Sequence, residues 1–220
     1  MATPIPLRID FVSDVSCPWC AIGLSALEHA LERLGGTVQA QIHLQPFELN
    51  PQLSVEGEDA TEHLMGKYGI GEAQVEANRA VIRERAAALG FAFNIGVGSR
   101  VYNTFDAHRL LHWAELQGGR HLALKKALLR AYFTDGEDVA SHEVLVRLAG
   151  EAGLDREEAR RVLESGTYAR EVRAQERFFQ QRGIHSVPAT IVNGTHLIPG
   201  GQPPEVFEQA LRDIAGVAAA

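Results

Sequence analysis

The stretch Ser13-Asp14-Val15-Ser16-Cys17-Pro18-Trp19-Cys20 lies between two short segments of regular hydrophobic pattern. Before it, residues 7–12 alternate and then become apolar, which predicts a strand. After it, apolar residues recur at helical spacing until Gly35-Gly36, so a helix is predicted to begin at the cysteines with Pro18 in its first position. Residues 38–47 alternate as a second strand. This order predicts a βαβ unit with the cysteine pair at the start of its helix.

The chain of 220 residues has only two cysteines, Cys17 and Cys20. Random placement would give their spacing about once in a hundred cases, so the pair indicates a function. A disulfide between them closes a loop too short to stabilise the fold much, and no second cysteine pair completes a four-ligand zinc site. With a stabilising disulfide and a zinc site set aside, redox chemistry is the remaining function of the pair. Free N–H groups at the helix start favour negative charge on Cys17, which is therefore the predicted nucleophile, with Cys20, one turn inward, as the resolving thiol.

The rest of the chain divides into a long helical segment and a short return to strands. Apolar residues at helical spacing predict helices throughout the middle of the chain, with Asn103-Thr104 as a capping pair. Near the end, residues 189–192 and 195–198 flank Asn193-Gly194, a strong hairpin signal, and a last helix follows. The predicted organisation is a discontinuous sheet domain of residues 1–57 and 184–220, with an inserted helical domain of residues 58–183.

Composition and charge exclude several function classes. Hydrophobic residues make up 45% of the chain, which is ordinary globular composition, and the net charge of −7 at pH 7 argues against a nucleic-acid partner. No apolar run approaches the ~20 residues that span a bilayer, so no membrane partner is expected. The first residues resemble no secretory signal, which favours a cytoplasmic location.

The segment His185-Ser186-Val187-Pro188 directly precedes the predicted hairpin. Taken alone it favours a trans bond before Pro188, because trans is the common state. The functional alternative is a cis Val187–Pro188 bond opposite the cysteines, with the Val187 backbone free to pair with a substrate. The residues alone leave both open.

Three motifs together resemble the DsbA superfamily of thioredoxin-fold proteins, and more narrowly its FrnE-like branch of cytoplasmic thiol–disulfide oxidoreductases. The motifs are residues 13–20, Pro46-Phe47-Glu48-Leu49-Asn50-Pro51, and Asn103-Thr104 followed by Ala107-His108. The resemblance implies an α/β fold, a thioredoxin-like βαβ…ββα sheet domain with a large inserted α-helical lobe, and a cis Pro188. It implies protein or small-molecule disulfides as substrates and no bound cofactor, with glutathione as a candidate reductant.

Two departures from the family pattern bear on the chemistry. Periplasmic DsbA has a histidine that helps to stabilise the thiolate at the position of Trp19, and tryptophan cannot carry that charge. The pair is therefore expected to be less oxidising than that of DsbA. Some FrnE-like proteins also carry a second cysteine pair near the C-terminus, and this chain has none.

The remaining candidate residues surround the dithiol in the sequence or in the family pattern. The predicted substrate-binding residues are Pro18, Trp19, Val187, Pro188, Asn103 and Thr104. Trp19 is expected to be exposed. Asn103 and Thr104 are either helix caps or residues that face the dithiol from the helical lobe.

Asp14 and several ring side chains also have two interpretations each. Asp14 is either a turn residue, which is favoured, or a proton relay to the dithiol. His108 and His112 stand four residues apart, a metal-site spacing, but a solvated polar face is favoured because no third ligand is evident. Phe178-Phe179 and Trp113 are predicted to be core.

Two other functions stay open. The same architecture occurs in 2-hydroxychromene-2-carboxylate isomerases and kappa-class glutathione transferases, which typically have serine at the position of Cys17 and no partner at that of Cys20. A glutathione-dependent isomerase or transferase is therefore the second hypothesis. A non-catalytic, redox-sensing peptide-binding module is the third. The sequence decides neither the physiological substrate nor the oligomeric state.

Overall fold

The structure is a computed structural model, and it describes residues 3–217. The predicted domain ends at residues 1 and 220 therefore lie outside the described residues. The strands are β1 Ile5–Ser13, β2 Val38–Pro46, β3 Glu58–Asp59, β4 Arg100–Val101, β5 Ala189–Val192 and β6 His196–Pro199. The helices are α1 Pro18–Arg33, α2 Ala60–Tyr68, α3 Glu72–Ala87, α4 Phe105–Leu116, α5 His121–Phe133, α6 His142–Glu151, α7 Arg156–Glu164, α8 Ala169–Gln181 and α9 Pro204–Ala215.

A mixed four-stranded sheet has the order β2-β1-β5-β6. Strands β1 and β2 pair in parallel, since the crossover helix α1 joins them, and β5 pairs antiparallel with β1 and β6. Asn193 and Gly194 both have positive φ, 51° and 72°, as the tight turn between β5 and β6 requires. The predicted βαβ and ββα units are confirmed, although β6 begins one residue later than predicted.

Helices α2 to α8 all lie between β2 and β5 in the sequence and form the helical lobe. The prediction of helices throughout this segment is wrong at β3 and β4, which pair antiparallel. Each strand has only two residues, too few to show an alternating pattern. Among the described residues, no helix has the length and apolar character needed to cross a bilayer.

Two hydrophobic clusters join the lobe to the sheet. The larger one takes Phe11 from β1, Leu27 from α1 and Leu128 from α5 into one continuous core. The smaller one lies against the opposite side of β1, where Val12 and Phe179 belong to the same cluster. Successive residues of β1 thus serve different layers, as the two-residue period of a strand requires. The lobe is packed on the sheet through buried apolar surface.

Two of the three aromatic residues predicted as core are buried. Trp113 and Phe179 are buried as predicted, but Phe178 is 45% exposed and the prediction for it is wrong. The guanidinium of Arg182 lies 3.5 Å from the centre of the Phe178 ring. Neighbouring residues of a helix point in different directions, so only one of the two phenylalanines reaches the core.

Candidate active site

The cysteine motif forms the first turn of helix α1. Cys17 is the N-cap residue and Pro18 occupies the first helical position, as predicted. The backbone N–H of Cys20 donates to the carbonyl of Cys17 at 3.0 Å, and both cysteines are free thiols. Proline fits here because the first N–H of a helix has no partner inside the helix.

The two thiols lie side by side in different environments. Cys17 is 4% exposed and Cys20 is wholly buried. Burial raises the pKa of Cys20 well above its ordinary value, and the hydrogen bond and charge of Cys17 raise it further. In the dithiol state Cys20 is therefore a protonated thiol at neutral pH.

The loop before β5 covers the thiol of Cys17. The Val187–Pro188 bond is cis, as the resemblance implies and contrary to the common state. The Sγ of Cys17 lies 3.6 Å from the carbonyl oxygen of Val187. Val187 is half-buried, and its carbonyl lies over the start of helix α1.

Two glycines allow this loop and its neighbour to approach helix α1. A Cβ added to Gly23 would lie 3.1 Å from Cγ of Pro188, and one added to Gly201 would lie 2.9 Å from the carbonyl oxygen of Trp19. The prediction that Trp19 is exposed is wrong: it is half-buried and packs against the larger core cluster. The turn at Gly201 lies close against Trp19 and explains this burial.

Asp14 is wholly buried at the turn before the cysteines. Its carboxylate accepts hydrogen bonds from the backbone N–H of Leu49 at 2.7 Å and from Nε2 of His108 at 3.3 Å. Burial acts to raise the pKa of Asp14, but His108, the Leu49 N–H and the Thr104 hydroxyl outweigh it and lower that pKa to about 2. A carboxylate with this pKa is too weak a base to hold a thiol proton at neutral pH, so the geometry favours the turn interpretation.

The side chains of Asn103 and Thr104 have different partners in the structure. The Oδ1 of Asn103 accepts from the Phe105 N–H at 2.9 Å, and its Nδ2 donates to the carbonyl of Leu53 at 3.1 Å. Thr104 is buried at the N-cap position of helix α4, but its side chain makes no capping hydrogen bond; its hydroxyl helps to lower the pKa of Asp14. Thr104 is therefore the cap residue by position, whereas Asn103, the residue before it, supplies the side-chain hydrogen bond to the start of the helix.

The two helix α4 histidines do not form a solvated face. His108 is buried against Asp14, and His112 is half-buried with its ring centre 5.0 Å from that of Tyr168. The solvated-face prediction is therefore wrong for His108, because the carboxylate supplying its partner comes from the distant β1–α1 turn. Within residues 3–217, no group of three or more histidine, cysteine or acidic side chains is arranged to hold a metal ion.

Glu48 of the second motif ties the sheet domain to helix α8. It shares the guanidinium of Arg173 with Glu176, which lies 2.8 Å from that group. Burial raises the pKa of Glu48 to about 7, and the neighbouring charge of Glu176 contributes in the same direction. Two buried carboxylates on one cation make this junction sensitive to pH.

Lys125 of helix α5 is a neighbour of the dithiol that the sequence analysis missed. It is wholly buried and interacts electrostatically with Cys20, Asp14 and Cys17. A signal was available, because Lys125 stands four residues from both His121 and Leu129, which are buried on the same helix face. The positions of His121 and Leu129 therefore predict that Lys125 is buried, although lysine is usually exposed.

A second missed neighbour is Lys67 of helix α2. Its Nζ donates to the carbonyl of Leu49 at 2.9 Å and to Oδ1 of Asn50 at 2.6 Å. Burial lowers the pKa of Lys67, whereas the charges of Asp14 and Cys17 act to raise it. The helical lobe thus places positive charge near Cys17.

A pair of thiols at the start of a helix, facing a cis proline beside a β2-β1-β5-β6 sheet, defines the chain as a thioredoxin-fold protein of the dithiol type. Residues 8–212 match the family model described as the DSBA-like thioredoxin domain. The chain belongs to this family, whose members are generally thiol–disulfide oxidoreductases.

Relatives of similar length agree with this assignment. The uncharacterised protein YwbO of Bacillus subtilis is 28% identical over 94% of this chain and 96% of its own. The crystal structure of a probable DsbA oxidoreductase from Streptomyces coelicolor superposes with a TM-score of 0.89 at 37% identity, covering 97% of this chain and 92% of that one. The cytosolic disulfide reductase DsbM of Pseudomonas aeruginosa, with GSH, has a TM-score of 0.65 at 17% identity, covering 96% and 100%, and shows a shared fold alone.

Proposed function

We propose that this chain is a cytoplasmic thiol–disulfide oxidoreductase, a reductase or isomerase, that works through a mixed disulfide on Cys17. The observation that carries the proposal is the asymmetry of the pair. Cys17 caps the start of helix α1 beneath Val187, and Cys20 is buried behind it with a raised pKa. An attacking thiol at the start of a helix and a second, more deeply buried thiol within reach are what sequential disulfide exchange requires.

The reaction begins with the Cys17 thiolate attacking one sulfur of a substrate disulfide. The substrate S–S bond breaks, its other sulfur leaves as a thiolate and takes a proton, and Cys17 is joined to the substrate. Cys20 then loses its proton and attacks Sγ of Cys17, which forms the Cys17–Cys20 disulfide and releases the second substrate thiol. The substrate gains two electrons and two protons, and the protein loses them. An external thiol such as glutathione restores the dithiol.

Isomerisation follows the same first step. When a thiol of the substrate itself attacks the mixed disulfide, Cys17 is released unchanged and the substrate keeps a rearranged disulfide. Pro18, Trp19 and Val187 are the proposed contacts of the substrate, and Pro188 shapes the loop that presents Val187. Asn103 and Thr104 are proposed to support the substrate site indirectly. Asn103 holds the loop after β2 through the carbonyl of Leu53, and Thr104 helps to keep Asp14 ionised.

The cytoplasmic location is part of the proposal. Both cysteines of the chain belong to the one motif, so no cysteine is left for the structural disulfides that oxidising compartments favour. The FrnE-like resemblance points to the same compartment.

The test is thiol-driven reduction of insulin disulfides by the intact chain and by two single variants. Cys17→Ser is expected to reduce the rate to the uncatalysed background, because it removes the attacking sulfur. Cys20→Ser is expected to slow turnover strongly and to accumulate a mixed disulfide that mass spectrometry detects, since Cys17 can still attack. Circular dichroism of each variant controls for folding.

The other functions predict different results for the same variants. A glutathione-dependent isomerase or transferase keeps its turnover in Cys20→Ser, because its chemistry needs no second thiol. A redox-sensing binding module reacts once with a disulfide and does not turn over. Either result would overturn the proposed function.

A further inference from the structure

Two carboxylates from distant parts of the chain meet on one nitrogen atom. Glu48 follows strand β2, Glu176 lies in helix α8, and the Oε2 atom of each accepts a hydrogen bond from Nη1 of Arg173, that of Glu176 at 2.8 Å. Two oxygens that share one donor nitrogen lie within about 6 Å of each other, which is twice the length of a hydrogen bond. The three side chains therefore form one charged cluster.

The charges of this cluster do not balance. The side chains of Glu48 and Glu176 are 2% and 7% exposed, so water reaches neither of them freely. Arg173 carries one positive charge, and two ionised carboxylates would leave one buried negative charge without a counter-ion. Burying an unpaired charge is costly, and two carboxylates at one site repel each other. One bound proton would make the cluster neutral.

The hydrogen bonds of the cluster are incomplete in the same sense. The Oε1 atoms of Glu48 and of Glu176 are both buried and have no hydrogen-bond partner among residues 3–217. A buried acceptor without a donor loses its hydration and gains nothing in return. A carboxyl group that binds a proton becomes a donor as well as an acceptor. The cluster thus needs a proton for its hydrogen bonds as well as for its charge.

The groups around Glu48 act mostly in one direction. Burial, the charge of Glu176 and the charge of Asp14 raise the pKa of Glu48, and they outweigh Arg173, so that this pKa is about 7. Of the two cations on neighbouring helices, His108 of helix α4 pairs with Asp14, and Lys67 of helix α2 binds the loop after β2. Both therefore have partners other than Glu48.

Glu48 is the first residue of a segment that is held by three elements. This segment, Glu48-Leu49-Asn50, is called the clamp segment below. Arg173 of helix α8 binds Glu48, the Leu49 N–H donates to the Asp14 carboxylate at 2.7 Å, and Lys67 of helix α2 donates to both Leu49 and Asn50. A change at Glu48 is thus one residue away from the hydrogen bond that fixes the turn before the dithiol.

We propose that Glu48 and Glu176 bind one proton between them, and that this proton fastens the clamp segment to helix α8. Loss of the proton at alkaline pH leaves two carboxylates that repel each other on one guanidinium. The clamp segment then holds the Asp14 turn less firmly. This inference goes beyond the proposed redox function and does not depend on it, because no thiol takes part.

The sign of the effect on stability follows from proton linkage. The folded chain keeps a proton on the pair up to about pH 7, whereas an unfolded glutamate loses it near its ordinary pKa of 4.5. The stabilisation is therefore complete below about pH 4.5 and is lost as the pH rises through about 7. Between about pH 6 and about pH 8, loss of this proton is expected to raise the unfolding equilibrium constant about tenfold.

The experiment measures denaturant unfolding of the full-length chain at these two pH values. Glu48→Gln and Glu176→Gln each remove one carboxylate and keep the side-chain shape, so the remaining carboxylate is balanced by Arg173 without a proton. Each variant is expected to lose the tenfold change. Glu171→Gln is the matched control, because Glu171 is an exposed glutamate of the same helix α8; it should keep the wild-type change.

The two glutamine variants together distinguish a shared proton from a single buried acid. Loss of the pH effect in both variants supports the pair. Loss in Glu48→Gln with the full effect kept in Glu176→Gln would mean that Glu48 titrates alone, which overturns the sharing. The wild-type pH effect in both variants would overturn the proposal completely.

Two measurements by NMR complete the test. In the wild-type chain, the side-chain carboxyl carbons of Glu48 and Glu176 are expected to show a common titration step near pH 7, since coupled groups titrate as a pair. Ordinary midpoints near 4.5 for both would overturn the shared proton without any variant. Hydrogen-exchange protection of the Leu49 amide, corrected for the intrinsic rate, is expected to fall about tenfold between about pH 6 and about pH 8 in the wild type and to stay constant in Glu48→Gln. Equal protection at both pH values in the wild type would overturn the effect on the clamp segment.

Discussion

At the scale of single residues, the environment of each ionisable group explains more than its position in the sequence. Asp14 lies three residues before Cys17, yet its carboxylate is held by His108 and by the Leu49 N–H rather than by the thiols. Cys20 and Lys125 show the opposite case, because each is buried and the charge of each acts on the pKa of the other. Groups far apart in the chain therefore set the acid–base properties of the motif.

Asp14 is predicted to make folding sensitive to acid. Its pKa is about 2 in the folded chain against an ordinary value of 3.8. Because the folded-state pKa is depressed, the stabilisation is complete above about pH 4 and is lost as the pH falls through about 2. The size is about 2 kcal/mol by proton linkage. Denaturant unfolding between pH 2 and about pH 6 measures it.

Asp14→Asn is expected to lower the free energy of unfolding at neutral pH and to flatten its acid dependence. Asp213→Asn, at an exposed position of helix α9, is the control and should keep the wild-type acid limb. An acid limb equally steep in Asp14→Asn and in the wild type would show that other carboxylates cause the loss.

At the scale of elements, helix α1 combines a reactive N-terminus with a close contact along its first two turns. Proline at its first position and the strand before it are readable from the sequence, because both are local patterns. The contact of Gly23 with Pro188 is not readable, since it joins residues distant in the chain. The small β3–β4 pair was likewise missed because two residues carry no periodicity.

Gly23→Ala is predicted to destabilise the chain and to slow the attack of Cys17. Alanine adds a Cβ 3.1 Å from Cγ of Pro188 and 3.3 Å from Cα of Gly201, so both loops must shift. The expected loss is about 1 kcal/mol or more, which exceeds the gain in helix propensity. Denaturant unfolding measures the stability, and the rate at which Cys17 releases the first coloured thiolate from the disulfide probe 5,5′-dithiobis(2-nitrobenzoate) measures the attack.

Gly66→Ala is the matched control, because Gly66 lies inside helix α2 with nothing within 4 Å of an added Cβ. It should be neutral or stabilising by up to about 1 kcal/mol. Similar effects of the two substitutions would mean that the Pro188 loop accommodates a methyl group without cost.

At the scale of the whole molecule, sequence pattern and tertiary packing account for different parts of the site. Cys17, Cys20 and Pro18 follow from local spacing, and the cis bond at Pro188 followed only from the family resemblance. His108 and Thr104 come from the helical lobe and act on Asp14, in the turn before the cysteines, which no local pattern predicts. The lobe therefore supplies the charged and hydrogen-bonding surroundings of a dithiol that belongs to the sheet domain.

The reduction potential of the pair depends on this whole environment. The start of helix α1 favours the thiolate of Cys17, which makes the pair more oxidising, whereas Trp19 supplies no positive charge in place of the histidine of DsbA. A value between about −270 mV, typical of thioredoxin, and about −120 mV, typical of DsbA, is expected. The two limits differ by about 7 kcal/mol.

The most direct test of the account is an equilibrium titration of the Cys17–Cys20 pair against reduced and oxidised glutathione. Tryptophan fluorescence reports the state of the pair through Trp19, with Cys20→Ser as the control that forms no internal disulfide. The account predicts a reversible two-electron transition with a potential between those of thioredoxin and DsbA. A potential as high as that of DsbA would contradict the argument from Trp19, and the absence of any reversible disulfide would contradict the redox function as a whole.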